Sequence, residues 1–133
     1  MTSADEIYLI QMLDNLAKQK FKWGQNDCNT LCVEWVDRVC GTDYLSRIKN
    51  HYQTKKGAVR FYRGFVEWIA ELKELGWQEV DQPQTGDLVL HLDKHFVYAH
   101  IFASGKMFSV DPKQGVITGF PVPDEEYTIM RFV

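Results

Sequence analysis

The chain has 133 residues, of which 45% are hydrophobic and 25% charged, and its formal net charge is −3. These values are typical of one folded domain with its own core, and we expect a single domain over residues 1–133. The weak negative charge argues against a protein that binds nucleic acid through phosphate contacts. No apolar run reaches the roughly 20 residues that a membrane span needs.

The chain begins with a predicted helix over residues 4–19, after a capping box formed by Ser3 and Glu6. The acidic, amphipathic start MTSADEIYLIQML lacks the pattern of a secretory signal peptide, so we expect synthesis in the cytoplasm. Helical spacing brings four apolar side chains onto one face; they are Leu9, Met12, Leu13 and Leu16.

A second helix is predicted from Asp27 to Val39, with Gly41 as its stop. Residues 42–56 are polar and predicted to be irregular or weakly helical, and a third helix is predicted over residues 57–75. The inner side of the second helix is apolar and consists of Leu31, Cys32, Trp35 and Val36.

The pattern changes after Pro83 to short runs rich in Val, Ile, Phe and Tyr, separated by Gly, Pro and Asp. Helices followed by antiparallel strands indicate the α+β class, with N-terminal helices packed on a C-terminal antiparallel sheet. The predicted strands are Asp87–Leu92, Phe96–Ala103, Met107–Val110, Gly115–Thr118 and Tyr127–Phe132.

Cys28 is the first candidate for chemistry, because it falls in the first turn of the second helix. Unpaired N–H groups and the positive end of the helix dipole stabilise a thiolate there, so the position predicts a lowered pKa and a nucleophile. The charge of Asp27 opposes part of this effect. A small buried packing residue explains Cys28 equally well from position alone. The three cysteines are predicted to be free thiols, since their number is odd and all lie between positions 28 and 40.

His100 is the candidate base, inside the strand Phe96–Ala103. A core or surface histidine without chemistry is an equally good explanation of it. A third group should orient the imidazole, and Ser109 and Asp111 share a strand face from which either could reach it. His51, His91 and His95 are weaker candidates. The cysteines lack zinc-knuckle spacing and the histidines do not obviously converge, so no metal and no cofactor is predicted.

The motifs and their order resemble a family. Trp23-Gly24 with Asp27-Cys28, then Gly86-Asp87, then Ala99-His100-Ile101 are similar to the NlpC-type cysteine peptidases and their CHAP-amidase relatives. More narrowly, the start and a middle segment with Tyr52 and Gly57-Ala58 resemble single-domain versions encoded in phage tail-gene clusters. The resemblance covers residues 20 to 132 and implies a papain-like fold.

The resemblance implies a hydrolase that cleaves amide bonds in peptidoglycan stem peptides, with Cys28 as nucleophile and His100 as base. It implies Ser109 or Asp111 as the third residue, and substrate or oxyanion contacts from Trp23, Asp27 and Asn29. Peptidoglycan peptides and phage tail proteins are the implied partners, and the host cytoplasm and the virion tail the implied locations.

The chain also departs from the family. Phe21 stands where the family often has an oxyanion-binding tyrosine, and Asn29-Thr30 replaces the usual Ser-Gly. Two alternatives therefore remain beside the hydrolase. One is a catalytically degenerate papain-like structural or assembly component of a tail, and the other is a related thiol acyltransferase or a different amidase.

Overall fold

The computed structural model describes residues 1–61, 65–93, 96–111, 115–119 and 126–133. The first half of this described part is helical, as the sequence predicts. Its helices are α1 (Ser3–Leu16), α2 (Cys28–Cys40), α3 (Leu45–Ile48), α4 (Lys55–Phe61) and α5 (Phe65–Glu74).

Helix α1 begins with a capping box one residue earlier than predicted. The Thr2 side chain accepts a hydrogen bond from the Asp5 N–H at 3.1 Å, and the Asp5 carboxylate accepts one from the Thr2 N–H at 3.0 Å. The predicted pair of Ser3 and Glu6 is wrong because Thr2 has the extended backbone of an N-cap, whereas Ser3 is already helical. The predicted inner face is confirmed, since Leu9, Met12 and Leu16 are buried and Leu13 is half-buried against the same core.

Helix α2 carries the candidate nucleophile and ends as predicted. Gly41 has a φ of 69°, in the left-handed region that glycine adopts without strain, and its N–H donates to the Asp37 carbonyl. The predicted inner side is confirmed by the burial of Leu31, Cys32, Trp35 and Val36.

The region predicted as one helix over residues 57–75 contains α4 and α5, and residues 62–64 between them lie outside the described part. Helix α4 starts at Lys55 because the Thr54 side chain accepts a hydrogen bond from the Gly57 N–H at 3.0 Å, which caps the first turn. The preceding polar stretch contains α3, whose first backbone N–H groups donate to the Asp37 carboxylate. No helix in the described ranges is long and apolar enough to cross a membrane.

The strands form one antiparallel sheet in the order β1-β6-β2-β3-β4-β5. Strand β1 was not predicted, because its four residues include two exposed polar side chains and it pairs only with β6 among the described strands. The strands are β1 (Trp77–Val80), β2 (Leu88–Asp93), β3 (Phe96–Ala103), β4 (Lys106–Asp111), β5 (Gly115–Gly119) and β6 (Thr128–Phe132).

The two faces of this sheet carry different clusters of buried side chains. One face packs against α1 and α2 in the main core and contributes Leu88, Leu90, Ala99, Ile101 and Met130. The other face carries a smaller cluster with Val89, Phe102 and Met107. The α+β class, with helices packed on an antiparallel sheet, is therefore confirmed.

The Gly86-Asp87 step fixes the start of β2 against the helices and against β6. The Trp35 indole donates to the Gly86 carbonyl at 2.8 Å. The buried Asp87 carboxylate accepts hydrogen bonds from the Arg131 guanidinium at 2.8 to 3.2 Å and from the Gln84 N–H at 2.7 Å. These bonds hold the strand that pairs with the His100-bearing β3.

Candidate functional site

Cys28 is the first residue of α2, directly after the N-cap Asp27. One carboxylate oxygen of Asp27 accepts hydrogen bonds from the N–H groups of Asn29 at 3.0 Å and Thr30 at 2.9 Å. The Thr30 hydroxyl in turn accepts the Asp27 N–H at 2.9 Å. The expected position of Cys28 in the first turn of a helix is therefore confirmed, and the cap around it is complete.

The second carboxylate oxygen of Asp27 ties this helix start to a distant part of the chain. It accepts the Gly24 N–H at 2.8 Å and the Tyr52 hydroxyl at 2.7 Å. The Asn50 N–H also donates to the Gly24 carbonyl at 2.8 Å. Gly24 has a φ of 80°, and a Cβ added there would lie 2.1 Å from the Tyr52 carbonyl oxygen. Only glycine permits this close approach.

The Cys28 side chain is 4% exposed and packs in a small cluster with Tyr52 and Ala58. Gly57 leaves room for this cluster, since a Cβ there would lie 3.2 Å from the Tyr52 Cβ. Trp23, Val59 and Tyr98 are half-buried at the edges of the cluster.

The pKa of the Cys28 thiol is raised to about 12, mainly by burial; the Asp27 charge adds to the rise, and the backbone N–H groups of Ala99, Cys28 and Asn29 oppose it. The expectation of a lowered pKa at the helix start is therefore wrong for this structure. The physical reason is that loss of hydration outweighs the favourable amides of the first turn. The thiol is neutral at pH 7.

The Cys28 sulfur lies beside β3 where this strand separates from β4. Within the described strands, the register pairs β3 with β4 only at Ile101–Ala103. Beyond that point the Ala99 N–H interacts with the Cys28 sulfur, and the Ala99 carbonyl accepts the Ser109 hydroxyl at 3.1 Å. Two of the predicted site residues therefore lie next to the backbone of the same β3 residue, Ala99, where β4 no longer pairs with it.

His100 is the next residue on β3, but its side chain lies on the other face of the sheet. It pairs directly with Val89, and directly opposite residues share a face, whereas the neighbouring Ala99 faces α2. The His100 Nδ1 lies 3.1 Å from the Val89 carbonyl oxygen. A carbonyl only accepts, so Nδ1 carries the proton in this contact and Nε2 is the basic nitrogen. The structure does not bring the imidazole into hydrogen-bond contact with the thiol.

His100 has a backbone partner that the sequence did not predict, and Ser109 or Asp111 as its orienting group stays a prediction. The Ser109 hydroxyl donates to the Ala99 carbonyl, and the His100 Nδ1 donates to the Val89 carbonyl. Asp111 is half-buried at the end of β4, on the same strand face as Ser109. Sequence reasoning missed the Val89 carbonyl, because a backbone acceptor is fixed by strand register and carries no signal of its own in the sequence.

The three residues implied for substrate contact differ in their burial and in their hydrogen bonds. Asp27 is completely buried, and its carboxylate already accepts four hydrogen bonds. Trp23 is half-buried and packs edge-on against Phe21 at 4.8 Å between ring centroids. Asn29 is completely buried, and its side-chain amide has no hydrogen-bond partner in the described part of the structure. An unpaired buried amide is costly, so Asn29 calls for a role beyond packing.

The remaining histidines do not join this cluster. His51 is exposed and stacks on Phe61, and the His91 Nδ1 lies 3.2 Å from the Glu126 carbonyl oxygen. His95 lies outside the described residues. Across the ranges that the structure describes, no group of three His, Cys, Asp or Glu side chains is arranged to hold a metal ion.

One family profile matches this chain over residues 3–123, and its description is a domain of unknown function (DUF6950). The chain belongs to the DUF6950 family. The DUF6950 match includes Cys28, His100, Ser109 and the Asp27–Tyr52 contact, so the whole site lies inside the family's domain. No curated protein and no solved structure matches this DUF6950 chain significantly.

Proposed function

We propose that this domain is a papain-like, NlpC-type cysteine hydrolase that cleaves amide bonds in peptidoglycan stem peptides, with Cys28 as nucleophile and His100 as base. The observation that carries the proposal is the position of the Cys28 sulfur. It lies at the first residue of a helix, among backbone N–H groups, against the strand that bears the histidine. The substrate follows from the resemblance of the motifs, and a phage tail is the proposed place of action.

The backbone around Cys28 supplies donors for a tetrahedral intermediate. The Asn29 N–H is already donated to Asp27. The N–H groups of Cys28 and Ala99 also interact with the sulfur, and they would stabilise an oxyanion formed on a carbonyl attacked from there. These donors are backbone groups of a helix and a strand, so their positions are fixed before substrate binds.

For His100 to act as the base, its Nε2 must come into contact with the Cys28 sulfur. When Nδ1 donates a hydrogen bond to the Val89 carbonyl, Nε2 is the ring nitrogen that can accept a proton, and His100 directly follows Ala99, whose N–H lowers the pKa of the thiol. We place the Nε2-to-sulfur contact in the substrate complex, since catalytic hydrogen bonds are often long or unformed before substrate binds. A neutral thiol at rest suits a base that removes the proton during attack.

The proposed reaction has two steps. Nε2 takes the thiol proton as the sulfur bonds to the amide carbon, and the carbonyl electrons move to oxygen. The C–N bond then breaks, and the leaving nitrogen takes the proton from Nε2. Water then bonds to the thioester carbon and gives a proton to Nε2, the C–S bond breaks, and the carboxylic acid is released. The thiol regains this proton.

The test compares matched pairs of variants on purified muropeptides, with products separated by liquid chromatography and identified by mass. Cys28→Ala and His100→Asn should each lower cleavage by about 10³-fold or more. Cys40→Ala and His91→Asn are the controls, because Cys40 lies at the far end of α2 and His91 makes a similar Nδ1 contact to a carbonyl. Cleavage that survives in Cys28→Ala, or that is absent from the wild type, would overturn the proposal.

A degenerate papain-like assembly component of a phage tail is the second candidate, and one observation favours it. The Cys28 thiol is buried, burial raises its pKa to about 12, and its side chain packs in the cluster with Tyr52 and Ala58 as a structural residue would. On this alternative, Cys28→Ala leaves particle assembly and infectivity unchanged while the wild type cleaves nothing. Loss of infectivity in a folded Cys28→Ala protein would contradict it.

A further inference from the structure

Tyr52 makes a buried contact with the residue that precedes Cys28. Its hydroxyl donates to the second carboxylate oxygen of Asp27 at 2.7 Å, and Tyr52 is 4% exposed while Asp27 is completely buried. The other donors to the Asp27 carboxylate are the backbone N–H groups of Gly24, in the preceding loop, and of Asn29 and Thr30, in the first turn of α2. The Tyr52 hydroxyl is therefore the side-chain donor to this carboxylate that comes from a distant part of the chain.

The ring of Tyr52 lies in the same cluster as the Cys28 thiol. The Tyr52 side chain therefore contacts both the N-cap Asp27 and the cluster that surrounds Cys28. Its backbone also closes on Gly24, at the other end of the loop that leads into α2. A hydroxyl that donates to a buried carboxylate reduces the charge that neighbouring groups experience. The Asp27 charge is one of the causes that raise the pKa of Cys28.

We propose that Tyr52 is a positioning residue for Cys28, which acts through Asp27 by fixing the first turn of α2 and by screening the Asp27 charge from the thiol. The inference rests on the proposed function, in that Cys28 is the reacting thiol. Sequence reasoning placed Tyr52 in a family-like segment without a role, because its partner is distant in sequence. Among the described residues, the other titratable groups on the elements packed against this cluster are Cys32 on α2, Lys55 at the start of α4 with its contact to Tyr98, and Tyr98 and His100 on β3.

The test measures alkylation of Cys28 by iodoacetamide between pH 7 and 10, followed at the level of the Cys28 peptide by mass spectrometry. Tyr52→Phe keeps the ring and removes the donor, so alkylation at a given pH should become about three- to tenfold slower. Tyr8→Phe is the matched control, since the Tyr8 hydroxyl also donates to a carboxylate, that of Glu34 at 3.1 Å, away from the Cys28 cluster. It should match the wild type within about twofold.

Two further measurements separate screening from simple loosening of the cap. Hydrogen exchange of the amides in residues 24–31 reports opening, and it should change too little in Tyr52→Phe to account for the alkylation difference. Asp27→Asn removes the charge, so alkylation should become faster. In that background, adding Tyr52→Phe should produce no further slowing.

Alkylation in Tyr52→Phe at the wild-type rate or faster would overturn the inference. So would an equal slowing by Tyr52→Phe in the Asp27→Asn background, or a failure of Tyr52→Phe to fold when Tyr8→Phe folds. Muropeptide cleavage is scored separately on the same proteins. If the wild type cleaves no muropeptide, the proposed function is wrong. The alkylation rates of Cys28 still decide whether Tyr52 is a positioning residue.

Discussion

Replacement of Cys28 by alanine should change how the free energy of unfolding depends on pH. Burial raises the pKa of Cys28 to about 12 in the folded protein, from an ordinary value of 9.0 that the unfolded chain regains. The folded value is the higher one. The stabilisation by the neutral thiol is therefore fully present below about pH 9 and is lost as the pH rises toward 12.

The magnitude follows from the two pKa values. A difference of about 3 corresponds to about 4 kcal/mol, lost at about 1.4 kcal/mol for each pH unit between the two values. At pH 7 the variant should lose about 1 kcal/mol, because the Ala99 N–H no longer has the sulfur beside it. Wild type and Cys28→Ala should therefore approach each other in stability, and then cross, as the pH rises above 9.

The assay is guanidinium unfolding at half-unit steps from pH 7 to 11 in a reducing buffer. Cys40→Ala serves as control: Cys40 is only half-buried, so its contribution to the slope should be smaller. Cys32 is present in both variants, but the Cys28 charge is one cause that raises the pKa of Cys32, so the comparison reports the loss of Cys28 together with its effect on Cys32. Parallel profiles of wild type and Cys28→Ala between pH 9 and 11 would refute the reasoning, because the folded thiol would then ionise as readily as the unfolded one.

Three other substitutions test the packing around the site, each by guanidinium unfolding at pH 7. Arg131→Met leaves the Asp87 carboxylate, 3% exposed, without its cation and should lower the free energy of unfolding by about 3 kcal/mol; a loss below about 1 kcal/mol contradicts the burial argument. Gly24→Ala introduces a Cβ 2.1 Å from the Tyr52 carbonyl oxygen and should cost about 2 kcal/mol or more, so an unchanged midpoint would disprove the close approach. Asn29→Leu removes a buried unpaired amide and should leave stability unchanged or raise it by about 1 kcal/mol; a large loss would mean that the amide has a partner.

The parts of the fold that were predictable are those whose hydrophobic pattern is local. Strand β3 occupies the predicted Phe96–Ala103, and α2 has its predicted stop at Gly41. Strand β1 escaped prediction because only one of its four residues is buried, and it becomes a strand through its pairing with β6. The extended conformation of β1 is therefore set by its pairing with β6 rather than by its own amino-acid composition.

The candidate site divides in the same way. The position of Cys28 at a helix start follows from local sequence, because Asp27 is a strong N-cap residue. The direction of its pKa change does not, since it depends on how tightly Tyr52 and Ala58 close over the sulfur. The orientation of His100 toward Val89 depends on the register of β2 with β3, which no motif in the chain encodes.

The position of β6 between β1 and β2 has a consequence for how the chain folds during synthesis. Strands β2 to β5 follow one another as neighbours and can pair as each emerges, which keeps their contacts local. Strand β1 is synthesised before them but gains its backbone partner only when β6 arrives and inserts beside it. Until then Trp77 has no sheet beneath it, and a ribosome-bound chain that stops before β6 should expose this ring to proteases and chaperones.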